Sequence, residues 1–157
     1  MKWAPGADQI ESLVVSHDLE QVEPSIDLAS RLASDAAQHL HSARVVLESG
    51  DPVGAYQLAY DSLRKAAAAL LAVQGLRATS RGGHVAVQKA MVAQFGDEFP
   101  GFRSFGRLRR NRNRFEYPGE GASEPDADDV LDAIGVAAEA GSAVRTVFDR
   151  GGLDPWR

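Results

Sequence analysis

Cysteine is absent from this chain, which excludes disulfides, thiolate catalysis and cysteine-ligated zinc. No apolar run approaches the ~20 residues needed to span a bilayer; the longest extends only from Ala66 to Val73. The N-terminal stretch Met1-Lys2-Trp3-Ala4-Pro5-Gly6-Ala7-Asp8 lacks an apolar core, so no signal peptide is expected, and a cytoplasmic location without membrane attachment follows as the default. There is no metalloprotease helix motif, no phosphate-binding glycine loop and no nucleophile elbow. His39 and His41 lie two apart and point to different faces of a helix, so they make a poor metal pair, and neither metal nor cofactor is expected. Lysine is scarce beside arginine, three against fourteen, a bias attributed to GC-rich coding.

What the chain does have is helical periodicity, nearly unbroken, with no strand alternation over more than a few residues. At 157 residues it is long enough for one domain with a real core. A short helix is expected over residues 7–15, with Ile10, Leu13 and Val14 on one side. A long helix starts near Pro24 and carries Ala29, Leu32, Ala36, Leu40, Ala43 and Leu47 before Gly50 stops it. The next opens on Asp51-Pro52, runs to Gln74 and stops at Gly75. Its second half is apolar all round, which marks it as the most buried helix. A loop is expected from Arg77 to Gly83, then a helix over residues 84–95. Pro100-Gly101 precedes an arginine-rich helix that Pro118-Gly119 ends, with a loop from Gly119 to Ala122. The last helix takes Ser123 as N-cap, crowds Asp126, Asp128 and Asp129 at its positive end, and is closed by Gly151-Gly152. The sum is an all-α, up-and-down bundle of four main helices plus a short one. Residues 1–23 read as an N-terminal extension, 24–150 as the helical domain and 151–157 as a short polar tail.

The strongest signal is charge. Residues 102–118 carry six arginines and one carboxylate, a formal +5, in a chain whose total is −5. Such polarisation points to an anionic partner, an acidic protein surface or an internal ion network. In helical projection Arg103, Arg107, Arg110 and Arg114 form one solvent-facing stripe, while Phe105, Leu108 and Phe115 face the core. The stripe reads either as phosphate or nucleic-acid contact or as a solvated face balancing acids such as those of the last helix. Arg112 and Glu116 fall four apart near the apolar side and can pair, as a structural ion pair or as part of a site. Gly82-Gly83 before His84 marks either a simple turn or a histidine held near a site.

The order of these features over residues 24–150 resembles the HEPN superfamily of small all-α, usually dimeric domains. The resemblance rests on Asp51-Pro52, on Ala59-Tyr60-Asp61-Ser62-Leu63-Arg64-Lys65-Ala66, on Gln74-Gly75-Leu76-Arg77, on Gly83-His84, and on Arg112-Asn113-Arg114-Phe115-Glu116-Tyr117-Pro118. Catalytic members are metal-independent ribonucleases with an arginine, a polar residue and, after four to six intervening residues, a histidine. Here Arg112-Asn113 matches the first half and Tyr117 stands at the histidine position. The resemblance implies an RNA- or nucleotide-binding homodimer, a toxin–antitoxin or defence-system component. Arg103, Arg107, Arg110, Asn113 and Arg114 would bind phosphate. Two alternatives accompany it. One is a ribonuclease using Arg112 with Glu116 or Tyr117. The other is a non-enzymatic dimerising module whose arginines meet an acidic partner, such as a nucleotidyltransferase or an antitoxin protein.

Overall fold

A computed structural model describes residues 3–119, 121, 123–151 and 153–156. It is an all-α bundle built from α1 (Ala7–Val15), α2 (Ile26–Glu48), α3 (Pro52–Gln74), α4 (Gly83–Phe95), α5 (Phe105–Glu116) and α6 (Ala127–Arg150). Two three-residue strands, β1 (Leu19–Gln21) and β2 (Leu76–Ala78), pair antiparallel with Leu19 opposite Ala78 and Gln21 opposite Leu76. No helix among the described residues is long and apolar enough to cross a membrane.

α3 is the centre. Asp51 caps it by accepting from Gly54 N at 2.9 Å, and Pro52 sits where a missing N–H costs nothing. Gly75 ends it in the left-handed conformation, φ 69°. A side chain there would also strike Val22 O at 2.7 Å, because the segment entering α2 passes over this end. Ala55, Ala59, Ala66, Ala67 and Ala69 are fully enclosed, and their small size lets α2 and α6 approach the α3 backbone closely. The turn between α2 and α3 is too short for anything but an antiparallel hairpin, and Ser62 Oγ ties the two by donating to Ala36 O at 2.7 Å. Buried Gln74 and Gln94 satisfy each other reciprocally at 2.6 and 3.1 Å.

Several boundaries differ from expectation, each for a local reason. α2 begins at Ile26, because Ser25 Oγ accepts from Leu28 N at 3.0 Å and so outcompetes Pro24 as the start. The stretch from Arg77 to Gly83 opens as strand β2, too short to show alternation in sequence. α6 is capped by Asp126, not Ser123: Asp129 N donates to Asp126 Oδ1 at 2.8 Å and Asp126 N to Asp129 Oδ2 at 3.0 Å, a reciprocal box that satisfies two otherwise orphaned donors. Pro100–Ser104 is a 3-10 helix, so Arg103 precedes the α5 helix. The closing residues are not a solvated tail: Leu153 and Trp156 are buried, and Trp156 N donates to Gln74 O at 2.7 Å. At the other end α1 packs on α4 through Ile10 and Leu13, and Leu19 of β1 joins the same core. The loop expected at Gly119 to Ala122, the Gly151-Gly152 stop and the Met1-Lys2 start each include residues outside those described.

Candidate anion-binding site

α5 is fastened to α3 by aromatic edges. Phe115 meets Tyr56 at 5.1 Å and Phe105 meets Tyr60 at 5.9 Å, both near perpendicular. This packing orients the rest of α5. Arg109, Arg112 and Glu116, at spacing three and four, share the flank that faces α3 and α4, while Arg107, Arg110 and Arg114 are exposed.

The third contributor is the start of α4, and its placement is elaborately prepared. Thr79 Oγ1 donates to His17 O at 2.7 Å and accepts from Gly82 N at 3.0 Å, and Thr79 O accepts from Gly83 N at 2.8 Å. Gly82 lies so close to Asp18 O that no side chain fits there. The turn therefore delivers His84 to a fixed point, where its Nδ1 shares a 2.7 Å hydrogen bond with Tyr60 Oη. The Gly-Gly-His segment is thus a turn that also positions the histidine, joining the two readings the sequence left open.

Around this imidazole–hydroxyl pair stand Arg64, Arg109 and Arg112, with Asp61. Burial pushes the Tyr60 hydroxyl up to about 12, and the three arginines counter that only in part. Burial also lowers His84 below the ordinary histidine range; Arg64, Arg112 and Arg109 lower it further and Asp61 opposes them. His84 is therefore neutral at pH 7, and the positive charge here belongs to guanidiniums. Two of these have carboxylates. Arg112 Nη2 lies 2.8 Å from Glu116 Oε2, with the two side chains 22% and 27% exposed. The contact lacks the direction of a good hydrogen bond, so Oε2 and the buried Arg112 Nε remain unsatisfied. Arg64 lies 3.6 Å from Asp61. Arg109 has no carboxylate among the described residues, and its buried Nε lacks a hydrogen-bond partner. One positive charge is left in excess, together with unused donor capacity.

The exposed stripe looks different. Arg103 donates to Gly96 O at 3.0 Å and to Asp97 at 2.5 Å. Arg107 donates to Asp132 of α6 at 2.6 Å, the balancing of last-helix acids that the plainer reading of the stripe described. Arg110 and Arg114 have no carboxylate partner among the described residues; Arg114 rests 5.0 Å from the Phe115 ring centre. Asn113 is exposed and its Oδ1 accepts from Arg112 Nη1 at 3.1 Å. Tyr117 is 72% exposed, beyond the helix end, and nothing among the described residues holds its hydroxyl. Of the residues expected from sequence, Arg112 and Glu116 come together. His84, which the sequence left as either a turn residue or one held near a site, joins them, and so do Tyr60, Arg64 and Arg109, which had not been singled out as site residues. A signal existed: Tyr60 and Arg64 are one turn apart, and Arg109 projects onto the Arg112–Glu116 face.

Among the described residues no group of three or more histidines, aspartates or glutamates could hold a metal ion. No family model, curated protein or solved structure matches this chain.

Proposed function

We propose that this protein is a HEPN-like domain that binds RNA or a nucleotide through phosphate, with Arg64, Arg109 and Arg112 as the inner cation set. The observation that carries the reading is the convergence of three guanidiniums from two helices on the His84–Tyr60 pair, with Arg109 left without a carboxylate. A phosphate oxygen satisfies such donors with charge-assisted hydrogen bonds, which are about twice as strong as neutral ones. Arg110 and Arg114 extend the site outward along α5 as sequence-independent backbone contacts, while Arg103 and Arg107 are held by Asp97 and Asp132. The test is fluorescence anisotropy with a short single-stranded RNA across a salt series. Five phosphate contacts on a single strand predict a log–log slope of roughly −3.5. Arg109→Ala should flatten it, and no binding at low salt would refute the reading.

One observation favours a second reading, metal-independent cleavage of RNA. The α5 motif has Tyr117 where a histidine is expected, yet His84 arrives beside Arg109 and Arg112 from another helix and is neutral at pH 7, the state a general base requires. Here the arginines stabilise the charged phosphate, His84 moves the proton and Tyr60 orients the imidazole. RNA incubated with the protein in excess chelator, beside His84→Ala, separates binding from cleavage: loss of cleavage with retained binding assigns catalysis to His84.

A further inference from the structure

A second feature lies beside the cationic site and is not explained by phosphate binding. Between the first turns of α2, the second half of α3, β2 and the start of α4 runs an open cleft of about 710 Å³. That is within the ~300–1,000 Å³ of small-ligand sites. Its long wall is aliphatic, Leu28, Leu32, Ala68, Leu71, Leu76 and Val87, and the lining holds no phenylalanine, tyrosine or tryptophan. Leu28 is 50% exposed at the mouth, an apolar surface with nothing over it among the described residues.

The polar groups of the cleft are distributed unevenly. Arg64 and His84 stand at one end, and among the described residues Arg64 is held only by its loose 3.6 Å contact with Asp61. Arg77 is engaged by Glu20 at 2.7 and 2.9 Å. The lining carboxylate, Glu23, is exposed and sits at the opposite end, since Val22 N donates to Gly75 O at the terminus of α3. Eleven residues of helix separate Arg64 from Gly75, roughly 16 Å along the axis. Thr79 Oγ1 is already consumed by His17 O and Gly82 N. Ser80, the remaining polar lining residue, is exposed. A nucleobase laid along the Leu28, Leu32 and Leu71 wall would bury its polar edge against aliphatic carbon, which is costly. A hydrocarbon chain has no such edge, and Arg64 complements a negative head.

We propose that this cleft binds an amphiphilic anion, an aliphatic chain ending in a carboxylate or phosphate monoester, with the head on Arg64 and His84 and the chain along Leu28, Leu32, Leu71 and Val87. The proposal goes beyond the phosphate-binding reading and shares with it only Arg64 and His84, so the two can fail separately. Arg109→Ala tests the RNA reading and leaves the cleft intact. Leu28→Asp tests the cleft alone: it is half exposed and third in α2, a position where a carboxylate suits the helix N-terminus.

The experiment is calorimetric titration of the full chain with hexanoate, octanoate and decanoate below micellar concentration, with octyl phosphate and 1-octanol as head-group controls. Affinity is expected to rise by up to about fourfold per added methylene. Octanoate or octyl phosphate should bind at least about tenfold more tightly than octanol, the stronger of the two naming the head. Leu28→Asp and Arg64→Gln should each weaken decanoate about tenfold with unchanged thermal melting. Absence of heat at millimolar ligand overturns the proposal. So does affinity independent of chain length, equal binding of octanol, or decanoate binding indifferent to Leu28→Asp. Sedimentation showing a dimer that Leu28→Asp dissociates would assign the cleft to a second copy and overturn it as well.

Discussion

The six arginines between residues 103 and 114 divide into an outer and an inner population. Arg103, Arg107, Arg110 and Arg114 are exposed, and the first two have ion-pair partners at 2.5 and 2.6 Å. Arg109 and Arg112 turn inward, each with an unsatisfied buried Nε, and act together with Arg64 on a buried hydroxyl and imidazole. The difference teaches that the number of basic residues is a poor guide to an anion site. What matters is which guanidiniums retain donors after the protein's own carboxylates are counted, and how far they are withdrawn from water.

Substitutions of graded effect separate the inner arginines from the outer ones. The largest is expected at the inner ion pair. Arg112→Ala strands the Glu116 carboxylate in a site about three-quarters enclosed, between the exposed and fully buried limits, so a stability loss of about 2 kcal/mol is expected in urea denaturation. A loss below about 0.5 kcal/mol would show that the pair behaves as a surface contact. Next comes Tyr60→Phe, which removes the buried partner of His84 and should cost about 1 kcal/mol.

Tyr60 also makes a pH signature. Because its hydroxyl is raised to about 12 in the fold, the unfolded chain loses that proton first, and stability should fall as pH rises from about 10 toward 12. Tyr60→Phe should lack that part of the decline. His84 works in the opposite direction. Its lowered pKa means that the unfolded chain binds a proton first, so its contribution is full above about pH 6.5 and is lost as pH falls below. His84→Gln should flatten that acid limb in pH-dependent melting. The smallest effect is at the outer stripe: Arg107→Ala breaks an exposed pair and should change stability by about 0.5 kcal/mol or less.

Much of the fold was legible in the chain because capping chemistry and helical periodicity are local. Asp51-Pro52 and Gly75 bound α3 as expected, and the apolar second half of that helix is the most enclosed part of the core. What stayed hidden depends on contacts far apart in sequence. The β1–β2 ribbon joins residues 57 apart through segments too short to alternate. Asp126 and Asp129 displaced Ser123 because each aspartate serves the other, a reciprocity that a single cap residue does not reveal. Arg112 with Glu116 could be paired from spacing alone. Arg109 projects onto the same face, but His84 could not be joined to them, because that requires knowing how α4 and α5 both lean on Tyr60. Tyr117, prominent by its place in the motif, falls beyond the helix end and points to solvent.

The two populations meet at one pair of sequence neighbours, Arg109 and Arg110, the first half-buried in the cluster and the second exposed. Anisotropy titration of the same single-stranded RNA with Arg109→Ala and with Arg110→Ala at low salt tests the central claim most directly. The account predicts a loss of about tenfold or more for Arg109→Ala, the scale of a charge-assisted hydrogen bond, and no more than about threefold for Arg110→Ala. Equal losses, or the larger loss at Arg110, would place the anion on the outer stripe and contradict it.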